Sequence, residues 1–283
     1  MYSAPYAGGV IAHPRLLALD VDGTLLSSHG TILPATLEAL GRARARGLII
    51  TLATGRRLST AHAYIDALGV TVPVILQSGA HIVDPRSGDI LYSNPLPPDV
   101  LGRVVPLFVA EGVQPILYED RAVDQRLLTG PVGRDSAAMR PYLAARPDLV
   151  RRLPYDELAR VGSVLECAAI DALPIVERVA ARLELEGCRA LVSYSAALDG
   201  YFLEVFRATC SKGDALQRLA ALLGVAMADV VAVGDNYNDR EMLQAAGLGV
   251  AMANAEPEIR AVADRIIPSN DEDGIAALLA AFS

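Results

Sequence analysis

The chain has 283 residues, of which 52% are hydrophobic and 20% charged, and its formal net charge is -8. This composition is typical of a globular protein that is long enough for two domains. The acidic balance, without any cluster of lysine and arginine, excludes an extended nucleic-acid surface, and the lack of an apolar run of about 18 residues excludes a membrane-spanning helix.

The first predicted element is a buried parallel strand at residues 16–19, an apolar run followed by Asp20, Asp22 and the turn residue Gly23. Open α/β sheets place their chemistry where such strands end. Two carboxylates this close repel each other, so a fold that keeps both usually adds a cation or gives one of them a proton to transfer. A solvated turn is the alternative, because Asp and Gly are ordinary turn residues.

Helix and strand signals alternate in the next part of the chain. They predict a helix at 35–46, a strand at 48–53, a helix at 58–68 and a strand at 73–76. This β-α-β-α-β order predicts a parallel sheet with helices on its faces. Thr54, Gly55 and Arg56 follow the second strand, so these residues also stand at the end of a predicted strand.

From about residue 81 the pattern becomes mixed. Residues 82–92 predict a hairpin around a turn that contains Pro, Ser and Gly. The elements predicted after it are a helix that begins at 97–98, strands at 115–118, 163–169, 191–194 and 201–206, and a helix at 173–186. An insert of about 130 residues is long enough for a core of its own. We therefore expect a catalytic core formed by 1–81 and 208–283, and a cap domain formed by 82–207.

The last part of the chain returns to the alternating pattern. Ser211, Lys212 and Gly213 open an amphipathic helix that extends to about residue 223. The elements predicted after it are a strand at 230–233, a helix at 239–246, a strand at 248–252, a helix at 257–263 and a helix from 273. The strand at 230–233 runs into a polar stretch at 234–239, which again places carboxylates at the end of a strand.

Four motifs stand out, and each taken alone has an ordinary explanation as a turn or a helix start. Together and in this order, DVDGT at 20–24, ATGR at 53–56, SKG at 211–213 and GDNYND at 234–239 resemble the motifs of the haloacid dehalogenase superfamily. The resemblance is to its Cof-type phosphatases with the class IIB cap, and it covers nearly the whole chain. It implies a Rossmann-like α/β core with a parallel sheet plus an inserted α+β cap domain of the C2 type.

The resemblance implies a role in phosphoryl transfer for each motif. Asp20 is expected to attack phosphorus and form an aspartyl phosphate, while Asp22 protonates the leaving oxygen and later takes a proton from water. Thr54, the backbone amides from Gly55 onward and Lys212 are expected to bind the phosphoryl group.

A divalent cation is expected, because a phosphate dianion must approach four carboxylates. Mg²⁺ suits an oxygen-only site with few protein ligands. The resemblance implies three ligands, namely the carboxylates of Asp20 and Asp235 and the backbone carbonyl of Asp22. Asp239 is expected to orient a water of the ion without touching the ion itself, and Asn238 to add a neutral donor beside the metal.

Other polar residues are less informative. Ser78 stands where the family commonly has Asn, and serine keeps a donor and an acceptor on a shorter stem. We therefore expect catalysis to be preserved while a substrate contact or the hinge differs. Arg56 and Arg57 are either substrate contacts or exposed residues at a helix start. The four histidines lack metal-ligand spacing, and the three cysteines predict neither disulfides nor a zinc site and favour a reducing compartment.

We therefore expect a cytoplasmic, Mg²⁺-dependent phosphatase that acts on a small phosphorylated metabolite, such as a sugar phosphate, pyridoxal phosphate or a flavin-pathway phosphate. We expect a monomer or homodimer without nucleic-acid or membrane partners, and residues 1–13 show no secretion signal. Two alternatives remain open: a phosphomutase of the same fold, and a non-catalytic regulator that binds a phosphometabolite. A dehalogenase is disfavoured, because carbon–halogen cleavage does not need an acid such as Asp22.

Overall fold

The protein is described by a computed structural model that covers residues 11, 13–184, 187–195 and 197–282. The chain divides into two compact units, Met1–Leu91 with Ser211–Ser283, and Tyr92–Cys210. We call them the core unit and the insert unit. Most of the segment 1–13, for which no secretion signal is expected, lies outside the described residues, as do residues 185 and 186 at the end of a predicted helix.

The first half of the core unit alternates strands and helices as the sequence predicts. Its elements are β1 (Leu16–Leu19), α1 (Pro34–Ala45), β2 (Ile49–Leu52), α2 (Leu58–Leu68), β3 (Val74–Leu76), β4 (His81–Val83) and the first two residues of β5 (Ile90–Ser93), whose last two residues belong to the insert unit. Helix α2 buries residues spaced three or four apart, namely Leu58, Ala61, Ile65 and Leu68, which is the periodicity of a helix with one apolar face. It ends at Gly69, whose left-handed conformation closes the helix.

The insert unit is a mixed α+β fold. Its elements are α3 (Pro98–Ala110), β6 (Ile116–Glu119), β7 (Leu127–Thr129), α4 (Met139–Ala144), β8 (Val150–Arg152), α5 (Tyr155–Leu158), β9 (Val164–Asp171), α6 (Leu173–Glu184), β10 (Cys188–Ser195) and β11 (Gly200–Arg207). The strands form one sheet in the order β10-β11-β9-β6-β7-β8. The four elements β7, α4, β8 and α5 were not predicted, because each has only three to six residues.

Each face of the insert sheet contributes to a separate hydrophobic cluster. Side chains of successive strand residues point to opposite faces, so Cys167 of β9 packs with residues of α3 and α6. Its neighbour Ala168 packs on the other face with residues of α4. On that second face the hydroxyls of Tyr118 and Tyr142 are hydrogen-bonded over 2.7 Å, so the buried phenol groups satisfy each other.

The last part of the core unit resumes the alternation. Its elements are α7 (Lys212–Leu222), β12 (Val230–Gly234), α8 (Arg240–Ala245), β13 (Leu248–Met252), α9 (Pro257–Val262), β14 (Arg265–Ile267) and α10 (Gly274–Ala280). The helix predicted at 239–246 is shorter than expected, because a 3₁₀ turn at Tyr237–Asp239 precedes it. Strand β14 was not predicted, and two of its three residues are exposed.

The core sheet is parallel, with strand order β14-β13-β12-β1-β2. Strand β1 is fully buried, and its register places Leu19 beside both Val233 of β12 and Leu52 of β2. The chain leaves β1 towards β2 on one side, while β12 lies on the other side. Such a reversal of strand order creates a crevice at the carboxyl ends of the strands, where open α/β sheets bind ligands.

Strand β3 departs from the predicted parallel sheet. A single parallel bridge between Ala53 and Ile75 links it to the residue after β2, and its main partner is β4, with which it pairs antiparallel. A 3₁₀ turn at Gln77–Gly79 reverses the chain between these two strands. Strand β5 completes this three-stranded sheet, which confirms the hairpin predicted at 82–92.

All three cysteines are buried and carry free thiols. Among the helices in the described part of the chain, none combines the length and hydrophobicity that crossing a membrane would require.

Candidate active site

The predicted site residues lie at the carboxyl edge of the core sheet. Asp20 directly follows β1, Asp235 directly follows β12, and Thr54 lies two residues beyond β2. Because these three strands are parallel neighbours, their ends meet at one edge of the sheet. The backbone N–H of Asp20 donates to the carbonyl of Val233 over 3.0 Å, which joins the residue after β1 to strand β12.

Lys212 is the centre of a buried ion-pair network. Its ammonium donates to Oδ1 of Asp20 and to Oδ1 of Asp239, both over 2.6 Å, and the lysine side chain is fully buried. The hydroxyl of Ser211 accepts from the N–H of Asp214 and caps helix α7, which fixes where its first residue, Lys212, enters the site. Burial opposes the charge on Lys212, but the two carboxylates outweigh burial and raise the pKa of the ammonium above its usual range.

Asp239 uses both of its carboxylate oxygens within the protein. Oδ1 accepts from Lys212, and Oδ2 accepts from the backbone N–H groups of Asp235 and Asn236, each over 3.0 Å. The side chain is fully buried. Asp239 therefore fixes the loop that carries Asp235, which suits the role expected for it beside a metal ion.

Asp235 is held against the loop that follows β1. The hydroxyl of Thr24 donates to Oδ1 of Asp235 over 2.7 Å. Gly23 has a φ of +83°, and a Cβ at this position would lie 2.3 Å from Oδ2 of Asp235. Only glycine therefore allows the loop to approach the carboxylate this closely. The amide of Asn254 donates to the carbonyl of Gly23 over 2.8 Å and also holds this loop.

The acidic cluster carries more negative charge than Lys212 neutralises. Carboxylate oxygens of Asp20, Asp235 and Asp239 lie within 4.8 Å of one another, so one ammonium faces three carboxylates. Burial, together with the charge of Asp239, raises the pKa of Asp235 to about 7. Burial also raises the pKa of Asp20 well above its usual value, although Lys212 opposes this shift. An all-oxygen cluster with surplus negative charge fits a small divalent cation such as Mg²⁺.

A second polar group, formed by Thr54, Gly55, Ser78 and Asn238, lies at the same edge of the core unit. The carbonyl of Thr54 accepts from the N–H of Ser78 over 3.0 Å, and the amide of Asn238 donates to the Ser78 hydroxyl over 3.3 Å. A Cβ at Gly55 would lie 3.4 Å from Oγ of Ser78 and 3.9 Å from Nδ2 of Asn238. The three predicted phosphate-binding residues after β2 and β12 therefore meet around Ser78.

The turn that carries Ser78 has an unusual backbone. Gln77 and Ser78 have φ values of +46° and +55°, a left-handed conformation that non-glycine residues seldom adopt and that the surroundings must impose. A Cβ at Gly79 would lie 2.2 Å from the carbonyl oxygen of Ser211. The turn is thus packed directly against the start of α7, next to Lys212.

Asp22 lies apart from the carboxylate cluster. Its side chain is 59% exposed, and the guanidinium of Arg56 binds both of its oxygens, Nε to Oδ2 over 2.7 Å and Nη2 to Oδ1 over 2.5 Å. The two candidate acidic residues of the first motif therefore differ in environment. Asp20 is buried against a lysine, whereas Asp22 faces solvent with an arginine.

The structure thus places every predicted site residue at one edge of the core unit. The residues that sequence reasoning missed are Thr24, which contacts Asp235, and the partner of Asp22. Thr24 is the last residue of the first motif, four positions after Asp20, so its membership of that motif is a usable signal. The contact between Arg56 and Asp22 joins residues 34 positions apart, and no spacing rule indicates it.

Comparison with known proteins adds independent findings. The family model described as haloacid dehalogenase-like hydrolase matches residues 17–279. Pyridoxal phosphate phosphatase YbhA of Escherichia coli (strain K12) is 34% identical over 266 residues, which cover 93% of this chain and 96% of that protein. The 5-amino-6-(5-phospho-D-ribitylamino)uracil phosphatase YitU of Bacillus subtilis (strain 168) is 29% identical over 273 residues, covering 94% and 96%.

The fold also matches solved structures. The structure of a phosphatase of the haloalkanoate superfamily from Bacteroides thetaiotaomicron has a TM-score of 0.78 and 25% identity to this chain. The match covers 98% of this chain and 99% of that one. The similarity therefore includes both the core unit and the insert unit.

Proposed function

Because the chain belongs to the haloacid dehalogenase-like hydrolase family, we propose that it hydrolyses phosphate monoesters of small metabolites through an aspartyl phosphate on Asp20. The chain is a phosphoric monoester hydrolase with a Rossmann-like α/β core and an inserted α+β cap. The observation that carries the mechanism is the buried contact of Lys212 with Asp20 beside Asp235 and Asp239. This contact places a carboxylate, oriented in advance, in a site that favours a divalent cation.

In the first half-reaction a carboxylate oxygen of Asp20 attacks phosphorus. The new P–O bond forms while the bond from phosphorus to the ester oxygen breaks, and Asp22 gives its proton to the departing oxygen. The hydrogen bond from Lys212 to Oδ1 orients the Asp20 carboxylate before the substrate arrives, so little reorganisation is needed during attack.

In the second half-reaction a water molecule attacks the phosphorus of the aspartyl phosphate. Asp22, which is now anionic, takes a proton from this water, and the bond between phosphorus and Asp20 breaks. The products are inorganic phosphate and the original carboxylate. This transfer returns Asp22 to the protonated form with which the first half-reaction begins, so one residue serves both half-reactions.

The transferring phosphoryl group needs donors for its oxygens. We assign this task to the hydroxyl of Thr54, the backbone amides from Gly55 onward, the amide of Asn238 and the ammonium of Lys212. Donors fixed before the reaction stabilise the charge that develops on these oxygens. The contacts around Ser78 support the assignment, because they hold Gly55 and Asn238 side by side.

Mg²⁺ is the proposed cofactor. When bound, it would neutralise the repulsion between the phosphate and the carboxylates and stabilise charge on the phosphoryl group. The carboxylates of Asp20 and Asp235 and the backbone carbonyl of Asp22 would hold the ion. The fixed loop of Gly23 supports this set, because it brings the backbone next to Asp22 close to the carboxylate of Asp235.

We further propose that the core, residues 1–81 and 208–283, performs the chemistry and that the cap, residues 82–207, selects the substrate. The four motifs all lie outside the cap. The relatives named for pyridoxal phosphate and for a phosphoribitylamino-uracil support a small phosphorylated metabolite as substrate. Pyridoxal phosphate, sugar phosphates and flavin-pathway phosphates are the first candidates.

Phosphate release from a panel of these metabolites, measured with and without Mg²⁺, tests the proposal. The wild-type protein should release inorganic phosphate from at least one of them, and Asp20→Asn should not. A mutase would isomerise a hexose phosphate without releasing phosphate, and a regulator would bind a metabolite without turnover. Either result would show that the proposed function is wrong.

A further inference from the structure

We propose that Arg56 is a positioning residue that holds the carboxylate of Asp22 in the orientation needed for proton transfer. The assignment rests on the proposed role of Asp22 as acid and base. The guanidinium makes two parallel hydrogen bonds, one to each oxygen of this carboxylate. Such a fork fixes the plane of the carboxylate as well as its distance.

Asp22 needs a partner of this kind because of where it lies. Its side chain is more than half exposed, so packing does little to restrict rotation about its side-chain torsions. Proton transfer to a leaving oxygen is sensitive to geometry, and a displacement of about 1 Å can lower a rate by about 100-fold. A planar donor that binds both oxygens restricts both torsions together.

Arg56 is itself fixed by neighbouring elements of the core unit. Its backbone N–H donates to the hydroxyl of Thr54 over 3.1 Å, and its carbonyl accepts from the N–H of Gln77 over 3.1 Å. The guanidinium lies 5.0 Å from the centre of the Tyr64 ring, and Nη1 donates to the carbonyl of Thr60 over 3.4 Å. These contacts anchor the arginine to α2 and to the loops after β2 and β3, so several hydrogen bonds and a ring contact restrict its position.

Arg42 provides a matched control. It also pairs with a carboxylate in the core unit, but its partner is Glu38 one turn earlier on α1. Both side chains of that pair are more than half exposed, and neither is a predicted site residue. Arg42→Ala therefore removes an arginine of the same type without affecting Asp22.

The test compares two substrates that differ in their leaving group. p-Nitrophenolate departs without protonation, whereas the alkoxide of glycerol phosphate needs a proton from Asp22. We expect Arg56→Ala to lower kcat for glycerol phosphate about tenfold, as a modest loss of alignment should, with a much smaller loss for p-nitrophenyl phosphate and little change in KM. Arg56→Lys should lie between the wild type and Arg56→Ala, because lysine keeps the charge without the fork.

The double variant with Asp22→Asn and Arg56→Ala adds a readout that a purely structural role of Arg56 would not change. In the Asp22→Asn background, Arg56→Ala should cause no further loss of kcat for glycerol phosphate, because the two residues act as one unit. Arg42→Ala should resemble the wild type with both substrates. These results together would support the positioning role.

Three results would overturn the positioning role of Arg56. If Asp22→Asn affects the two substrates unequally but Arg56→Ala affects them equally, the inference fails while the proposed function stands. If Arg56→Ala raises KM for both substrates at unchanged kcat, Arg56 binds the substrate directly. If Asp22→Asn itself affects both substrates equally, the acid role of Asp22 is wrong, and the positioning role is wrong with it.

Discussion

The core unit contains two carboxylate–cation pairs whose aspartates, Asp20 and Asp22, are two residues apart in the chain. The two pairs occupy opposite environments. The side chains of Lys212 and Asp20 are 0% and 7% exposed, whereas those of Arg56 and Asp22 are 28% and 59% exposed. Attraction between charges is stronger away from water, but so is the cost of leaving one charge without its partner. The buried pair is therefore part of the framework of the site, while the exposed pair contributes orientation and little stability.

This difference matches the chemistry assigned to the two carboxylates. Asp20 must present an oriented oxygen to phosphorus, and a buried, hydrogen-bonded position provides this. Asp22 must give a proton to the leaving oxygen and take one from water in each cycle, and an exposed position leaves its carboxylate within reach of both. Substitutions of one member of a pair, or of a carboxylate near the buried pair, should therefore have different effects.

The largest effect is expected at the buried nucleophile. Asp20→Asn should lower turnover by at least about 10⁴-fold, because a carboxamide is a poor nucleophile and lacks the charge that binds the metal. Phosphate release under saturating substrate measures this loss, and circular dichroism verifies that the variant folds. Turnover near the wild-type rate would rule out Asp20 as the nucleophile.

Removing the buried cation should destabilise the fold. Lys212→Met leaves Asp20 and Asp239 without their shared partner, and breaking a buried pair in this way typically costs about 3–5 kcal/mol of unfolding free energy. Urea denaturation measures this loss of unfolding free energy. A chelator is included, because a bound divalent ion would replace part of the lost positive charge. An unchanged unfolding free energy would contradict the structural role of this pair.

The concentration of Mg²⁺ needed for activity should differ between variants of Asp235 and variants of Asp239. Chelation should abolish activity and Mg²⁺ restore it, with Ca²⁺ a poor substitute because of its longer bonds and larger coordination number. Asp239→Asn should raise the Mg²⁺ concentration needed for half-maximal activity by about 10- to 100-fold, as loss of a group beside a metal does. Asp235→Asn should raise it further. Full activity in excess chelator would refute the metal site.

The smallest effect is expected on the unfolding free energy when the exposed pair of Arg56 and Asp22 is broken. Arg56→Met should change the unfolding free energy by at most about 1 kcal/mol, because solvent screens an exposed ion pair. The same urea denaturation, performed beside Lys212→Met, provides the comparison. Equal losses for the two variants would show that burial does not distinguish the pairs as proposed.

The sequence predicts the core unit better than the insert unit for a physical reason. In the core, long apolar runs such as the one before Asp20 end in polar motifs, so both the strand and the position of the site are readable. In the insert, β7 has three residues and α5 has four. A helix of four residues has little more than one turn, and a strand of three residues has fewer than two repeats of its alternation, so periodicity cannot reveal them.

Within the site, the motifs predicted which residues gather but not how they pair. The double contact of Lys212 with Asp20 and Asp239 joins residues separated by 192 and 27 positions, and only the fold brings them together. The same holds for the left-handed backbone of Gln77 and Ser78, since neither residue type favours that conformation. Both features follow from contacts that the rest of the chain imposes.

The most direct test of the mechanism is to trap the phosphorylated enzyme. Asp22→Asn, which lacks the base that activates water, is mixed with ³²P-labelled p-nitrophenyl phosphate and Mg²⁺, quenched in acid and digested. The peptide that contains Asp20 should carry the label, and hydroxylamine should release it, as expected of an acyl phosphate. Label on a different residue would contradict covalent catalysis by Asp20. The absence of label would also contradict it, if p-nitrophenol is released in a burst equal to the enzyme concentration.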